Sequence, residues 1–313
     1  MEFRKLGNSG LKVSVIGLGT NNFGPRMDPQ NSARVLHHAI DLGINCVDTS
    51  NSYGNGLSEE YIGRAIKGRR NDVILATKVY SPISEGPNTR GASRLSIMRE
   101  IEGSLRRLGT DFIDLYQIHF NDPDTPIEES LRALTDLVRQ GKVRYIGCSN
   151  FDAWQVCEAI WTSKGAGLEP FVSVQPNYSL LNREVERELI PFCDQYGVGV
   201  LPYFPLASGF LTGKYRRGEA PPQGTRLAGN QQAADRELTD RHFDLLEKLE
   251  NFSAERGHSI LELAFAWLLA KPAISSVIAG ATKPEQLDAN VAAADWKLTQ
   301  DDTDAVDLIL NSM

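Results

Sequence analysis

Four side chains stand at or just past the ends of short apolar segments, and as a group they could move a proton: Asp48, Tyr53, Lys78 and His119. A phenol alone titrates near pH ~10 and an ammonium near ~10.4, so neither is useful acid–base equipment at neutrality. Held together, with a carboxylate behind the amine, they become a proton donor that works near neutral pH. Bringing the phenol from ~10 to ~8 takes about 2.7 kcal/mol of differential stabilisation, which one close ammonium in a partly desolvated site can supply. A histidine aimed at the same place adds a second donor, and two preset donors make a clamp for an oxygen gaining negative charge. Each residue alone has an ordinary explanation. Asp48 could close a strand with a turn, Tyr53 could be a packing residue, Lys78 could reach solvent, and His119 could be a hydrogen-bonded barrel histidine. Their joint occurrence at the ends of three neighbouring strands is what points to a catalytic site.

The elements that must hold them read as a repeat. Strand candidates rich in β-branched residues are VSVIGLG (13–19), INCVDTS (44–50), VILATKV (73–79) and FIDLYQIH (112–119). They continue with VRYIGCS (143–149), FVSVQPN (171–177), VGVLPYF (198–204) and SSVIAG (275–280). Continuous apolar strands are what a parallel sheet buried on both faces requires. Between them lie amphipathic segments such as NSARVLHHAIDLG, with Val35, Ala39 and Leu42 on one face and Gly43 as a stop, and REVERELIPFCDQYG. Pro126 is placed to start the helix of IEES. Eight such units predict an α/β fold, a (β/α)8 TIM barrel spanning 1–313 as one domain. The first strand ends in Gly17-Leu18-Gly19 with no third glycine and no helix at once, which excludes the dinucleotide fingerprint of a doubly wound sheet. The stretch 205–240, after the seventh strand, is long and rich in Gly, Pro and polar residues, and connections of that length tend to be functional lids.

Composition narrows the function classes. The chain has 313 residues, 41% hydrophobic and 23% charged, with a net charge of −7 that speaks against nucleic acid as a partner. Cys46, Cys148, Cys157 and Cys193 form no CxxC pair and no grouping with histidine of metal type, so reduced buried thiols and no metal are expected. Charges near the start replace the apolar run of a leader, and no stretch has the length of a membrane span, so no membrane partner and a cytoplasmic location are expected. The Gly209–Gly213–Lys214–Tyr215 stretch is one residue short of a triphosphate loop and has Tyr where Ser or Thr would bind magnesium.

At the residues that could do chemistry, the chain resembles the aldo-keto reductase superfamily. Gly43-Ile44-Asn45-Cys46-Val47-Asp48-Thr49-Ser50-Asn51-Ser52-Tyr53-Gly54 is similar to the segment that carries the family's catalytic Asp and Tyr. Leu75-Ala76-Thr77-Lys78-Val79 is similar to its lysine strand, and Asp114-Leu115-Tyr116-Gln117-Ile118-His119 to its histidine strand. Gly147-Cys148-Ser149-Asn150-Phe151 and Val174-Gln175-Pro176-Asn177-Tyr178 match two further segments, and Gly209 to Tyr215 places the likeness nearest bacterial reductases and potassium-channel β subunits. The resemblance implies reduction of an aldehyde or ketone by hydride from NADPH, with NADH as the other candidate. Tyr53 would protonate the carbonyl oxygen, Lys78 paired with Asp48 would lower the phenol's pKa, and His119 would orient the substrate. It also implies nicotinamide contacts from Ser149, Asn150 and Gln175, a stacking role for Tyr203, and basic contacts to the phosphates from Lys214 and Arg226. Thr20, Asn21, Asp48, Phe204, Pro205, Leu206 and Ser208 join the cofactor set, with Gly280, Thr282, Gln286 and Asn290 at the adenosine end. The same site could run in reverse as a sugar or alcohol dehydrogenase, and the channel-subunit likeness implies a third reading, a cofactor-binding regulatory subunit.

Overall fold

The structure, a computed structural model, describes residues 1–86 and 88–312. A short hairpin, β1 (Phe3–Lys5) and β2 (Lys12–Ser14), comes first and pairs antiparallel. Eight parallel strands follow: β3 (Ile16–Gly19), β4 (Cys46–Asp48), β5 (Ile74–Val79), β6 (Ile113–Ile118), β7 (Val143–Ser149), β8 (Ser173–Gln175), β9 (Gly199–Val200) and β10 (Val277–Gly280). They pair in chain order from β3 to β9, with β10 returning beside β3. Parallel bridges Val200↔Ile274 and Tyr203↔Ile278 carry the ring from the end of β9 to β10, so the sheet curls into the expected (β/α)8 barrel.

Helices lie between the strands: α1 (Pro29–Asp41), α2 (Leu57–Ala65), α3 (Arg94–Leu108), α4 (Ile127–Arg139), α5 (Ala153–Ala166) and α6 (Leu189–Tyr196). The remainder are α7 (Gln231–Glu237), α8 (Asp240–Ala254), α9 (Ile260–Leu269), α10 (Pro284–Ala293) and α11 (Gln300–Asn311). Their starts follow ordinary capping chemistry. Asp28 caps α1 through the Asn31 amide, and Ser259 with Glu262 forms a capping box on α9.

Two expectations need correction. The candidate strand 13–19 is split: residues through Ser14 belong to the hairpin, because Ser14 bonds Phe3's strand and its hydroxyl turns back to the Ile16 carbonyl at 2.7 Å. The segment REVERELIPFCDQYG is a 3-10 turn (Glu184–Glu186) followed by α6, not one helix. Pro191 has no N–H to give an earlier turn, and it fits only in the first turn of a helix that starts afresh. Pro126 sits at the cap of α4, one place before the first helical residue.

Strand periodicity positions the site. Side chains alternate between the barrel interior and the helices, so residues two apart share a face. A buried apolar set that joins Leu6 and Val13 of the hairpin region to Cys46, Ala76 and Leu115 plugs one end of the interior. Two residues further along the same strands stand Asp48, Lys78 and Gln117, with Ser149 and Gln175 in register on β7 and β8. The barrel therefore has an apolar floor and, one layer toward the strand C-termini, a polar one.

Candidate active site

That polar layer is a compact network built on Asp48. Lys78 Nζ donates to Asp48 Oδ2 at 2.6 Å and to the Thr49 carbonyl at 2.8 Å. Gln175 Nε2 and Gln117 Nε2 both donate to Asp48 Oδ1, at 2.8 and 3.3 Å. Thr20 fixes the strand end by donating its hydroxyl to the Asp48 carbonyl at 2.8 Å. The ammonium is fully buried and the carboxylate nearly so, with side-chain exposures of 0% and 4%. A charge pair this deep survives only because each partner's remaining valences are filled.

Lys78 has one further neighbour, the Tyr53 hydroxyl at 3.3 Å. Tyr53 arrives on a tight turn whose Gly54 and Asn55 adopt left-handed backbone just before α2 begins. The first turn of α2 is locked to β5: Glu59, fully buried, accepts from the Thr77 hydroxyl at 2.6 Å and from Arg107 Nε at 2.6 Å. The tyrosine's helix and the lysine's strand are thus held in fixed relation by a carboxylate that sequence reading passed over. Opposite them, the His119 ring packs edge-on to Tyr53 at 5.9 Å and stacks on Phe120 at 4.6 Å. Its Nδ1 lies 3.3 Å from the Ser50 hydroxyl.

Burial sets the protonation states. It pushes the Tyr53 phenol above its ordinary value, with the Lys78 ammonium pulling the other way and Asp48 adding to the rise. The expectation of a net lowered phenol is therefore not met in this structure, because desolvation outweighs the ammonium. Burial alone would strip the proton from Lys78, but Asp48 and the phenol more than offset it and hold the amine above its ordinary range. Burial, with the Lys78 charge nearby, holds the His119 imidazole down to about 3, so the ring is neutral.

This cluster lies at one end of a cleft of about 650 Å³ at the strand C-termini. Every residue that the resemblance gave to the cofactor lines that cleft: Thr20, Asn21, Asp48, Ser149, Asn150, Gln175, Tyr203, Phe204, Pro205, Leu206, Ser208, Lys214, Arg226, Gly280, Thr282, Gln286 and Asn290. Tyr53 and His119 share it, whereas Lys78 sits behind it, in the wall. Several of these groups are already engaged. The Gln175 amide nitrogen holds Asp48, and Ser149 donates to the Gln175 carbonyl at 2.8 Å. Asn150 donates to the His119 carbonyl at 3.0 Å and accepts from the Tyr203 hydroxyl at 2.7 Å. The Gln286 side-chain Oε1 accepts from the amides of Thr282 and Lys283 at 2.7 and 3.2 Å, closing the start of α10.

The other end of the cleft is basic. Lys214 and Arg226 come from the segment after β9, and Arg226 lies 4.5 Å over the Phe204 ring. Arg26, from the turn after β3, joins them. Sequence reading did not single it out, since a lone arginine in a polar turn carries no signal. None of the three forms an ion pair with a carboxylate among the described residues. Burial holds both Lys214 and Arg226 below their ordinary values, and the Arg26 charge adds to this. The other histidines are engaged away from the cleft: His37 with the Ala65 carbonyl, His38 with Asp288, His242 with the Glu237 carbonyl, and His258 with Glu262.

A profile of the Aldo/keto reductase family matches residues 15–311, nearly the whole barrel with its buried Asp–Lys–Tyr cluster. The chain belongs to that family. YrpG of Bacillus subtilis (strain 168), described as an uncharacterized oxidoreductase, is 42% identical over 312 residues, covering 96% of this chain and 93% of its own. Aldo-keto reductase YhdN of the same organism is 35% identical, covering 100% and 94%. A probable voltage-gated potassium channel subunit beta of Oryza sativa subsp. japonica is 36% identical, covering 100% and 97%. As an aldo/keto reductase the chain is an NAD(P)H-dependent oxidoreductase, of a family that acts on small-molecule carbonyl compounds. No described helix is long and apolar enough to cross a membrane.

Proposed function

We propose that the protein reduces the carbonyl group of a small aldehyde or ketone, with NADPH as the hydride source and Tyr53 as the proton donor. The observation that carries this reading is the buried ammonium of Lys78, 3.3 Å from the Tyr53 hydroxyl and tied to Asp48, at the inner end of the cleft. The cleft suits a dinucleotide phosphate by the chemistry of its donors: Lys214, Arg226 and Arg26, none of them ion-paired among the described residues, line its outer end. Tyr203, Asn150 and the end of β8 would hold the nicotinamide, and Gly280, Thr282 and Asn290 the adenosine. When bound, NADPH supplies a hydride to the substrate carbon.

The chain's own residues supply the rest. Burial keeps the Tyr53 phenol protonated through neutrality, so it enters the reaction as a loaded acid. As the carbonyl oxygen gains charge, the proton leaves the phenol, and the phenolate left behind is stabilised by the ammonium at 3.3 Å. Asp48 and the two glutamines keep that ammonium aimed and charged. The Ser50 hydroxyl can donate to His119 Nδ1, which leaves the proton on Nε2. A neutral His119 then offers a second hydrogen bond to the same oxygen without competing for the proton. Phe120 and Tyr80, in edge contact at 5.6 Å, form an aromatic wall beside His119 for the substrate's body.

The test is direct. Purified protein with NADPH and a panel of small aldehydes should consume the cofactor, seen as loss of the dihydronicotinamide absorbance, and Tyr53→Phe should not. Turnover on no aldehyde by the wild type, or equal turnover by Tyr53→Phe, refutes the reading.

A further inference from the structure

The turn after β3 touches two other parts of the cleft at once. It is internally bonded: the Phe23 amide donates to the Thr20 carbonyl at 2.9 Å, Gly24 to Met27 at 3.0 Å, and Arg26 to Asn22 at 3.0 Å. Phe23 is fully buried, so the turn is anchored in the core. On one side it is wedged against the loop that carries Tyr53. A Cβ added to Gly54 would stand 2.9 Å from Pro25 Cδ and 3.2 Å from the Phe23 carbonyl, and one added to Gly24 would stand 2.8 Å from Leu57 Cβ. Both glycines are at positive φ, 58° for Gly54 and 92° for Gly24, so the two backbones meet where side chains have no room. On its other side the Arg26 guanidinium donates to the Gly224 carbonyl at 2.9 Å, a contact across 198 residues of chain. Gly224 stands two residues before Arg226, whose guanidinium rests on Phe204.

We propose that Arg26 is a positioning residue, linking the 222–226 segment over the cleft to the loop that sets Tyr53. The inference rests on the reading of the cleft as the cofactor site. Its physical basis is a conflict that an anion resolves. Arg26 repels both Lys214 and Arg226, so its one exposed charge-assisted hydrogen bond to the segment is made against that repulsion. Phosphate between the three cations turns repulsion into attraction and draws the segment onto Arg26. Because Pro25 and Phe23 belong to the same bonded turn, that pull tightens the wedge against Gly54, one residue from the acid. Cofactor binding would thereby finish the placement of Tyr53 before substrate arrives.

Hydrogen–deuterium exchange on the full chain separates this from a simple ligand role. In Arg26→Met without any ligand, amides of 222–227 and of 53–58 should both exchange roughly two- to five-fold faster, the effect of losing one exposed charged hydrogen bond. Saturating NADP⁺ should slow both segments in the wild type, but only 222–227 in Arg26→Met. At saturating NADPH, kcat should fall roughly two- to five-fold in the variant, with partial recovery in Arg26→Lys, which keeps the charge and one donor. Unchanged exchange at 53–58 in ligand-free Arg26→Met overturns the proposal, as does weaker NADP⁺ affinity with kcat intact. If NADP⁺ protects neither segment in the wild type, the cofactor reading fails, and the ligand-free comparison still decides for or against the link.

Discussion

Replacing His119 by Gln should remove about 2 kcal/mol of acid sensitivity from the folded protein. The imidazole is held down to about 3 by its burial and by the Lys78 charge. In the unfolded chain it titrates near ~6.5. Between those values the unfolded state binds a proton that the native state refuses, so stability is lost as pH falls from neutrality. At about pH 5 the cost is RT ln(1 + 10^1.5), about 2 kcal/mol, against about 0.2 kcal/mol at about pH 7. The figure hardly changes for any folded value below ~4, because the unfolded histidine alone determines it at that pH. Urea unfolding of wild type and His119→Gln at about pH 7 and about pH 5 isolates this contribution, since other groups titrate alike in both proteins. The wild type should lose about 2 kcal/mol more than the variant on acidification, or roughly 3 °C in melting temperature for a chain of this size. Equal losses would mean that His119 is solvated or cationic, and the assignment of a neutral donor beside Tyr53 would be wrong.

Other consequences follow from the same geometry. Asp48→Asn leaves a buried ammonium without its carboxylate and should destabilise the fold by about 3–5 kcal/mol in urea, far more than an exposed Asp→Asn change such as Asp304→Asn; a loss below about 1 kcal/mol would show the pair to be solvated. Removing Lys214 or Arg226 by alanine should raise the Kd for NADPH about tenfold each, with a smaller effect on NADH and a flatter salt dependence. Equal losses for both cofactors would place the cations away from the extra phosphate. Because His119 is neutral and the phenol is raised, aldehyde reduction should be level from about pH 6 to about pH 9 and fall only as the phenol ionises at higher pH. A fall on the acid side in that range would implicate a different acid.

The barrel was legible because its signal is redundant. Eight apolar strands recur between amphipathic segments, and errors of up to four residues at an end, as for 198–204 against β9, do not disturb the count. The split of 13–19 was hidden because Lys12 to Ser14 carry the same alternation whether they continue the barrel or cap its floor. The reactive residues were visible because Asp48 and Lys78 are charges at the ends of apolar strands, where composition alone makes them conspicuous. Gln117 was not singled out, although it sits in register with Lys78 and bonds the same carboxylate, since an uncharged amide in a strand gives a weak signal. Glu59 looked like ordinary first-turn chemistry of α2, and only packing shows it wedged between Thr77 and Arg107. The net direction of the Tyr53 shift was beyond reach as well. Sequence identifies the ammonium that favours the phenolate, but the desolvation that opposes it depends on how deeply the ring is covered.

The contact on which the mechanism stands, the Lys78 ammonium at the Tyr53 hydroxyl, is best tested by titrating the phenol itself. With ¹³C at the tyrosine ζ carbon, NMR can follow Tyr53, assigned by comparison with Tyr53→Phe, in the wild type and in Lys78→Met. Loss of a cation this close should raise the phenol's pKa by at least about one unit. An unchanged titration would mean that amine and phenol do not interact, and the proton-donor assignment would fall with it.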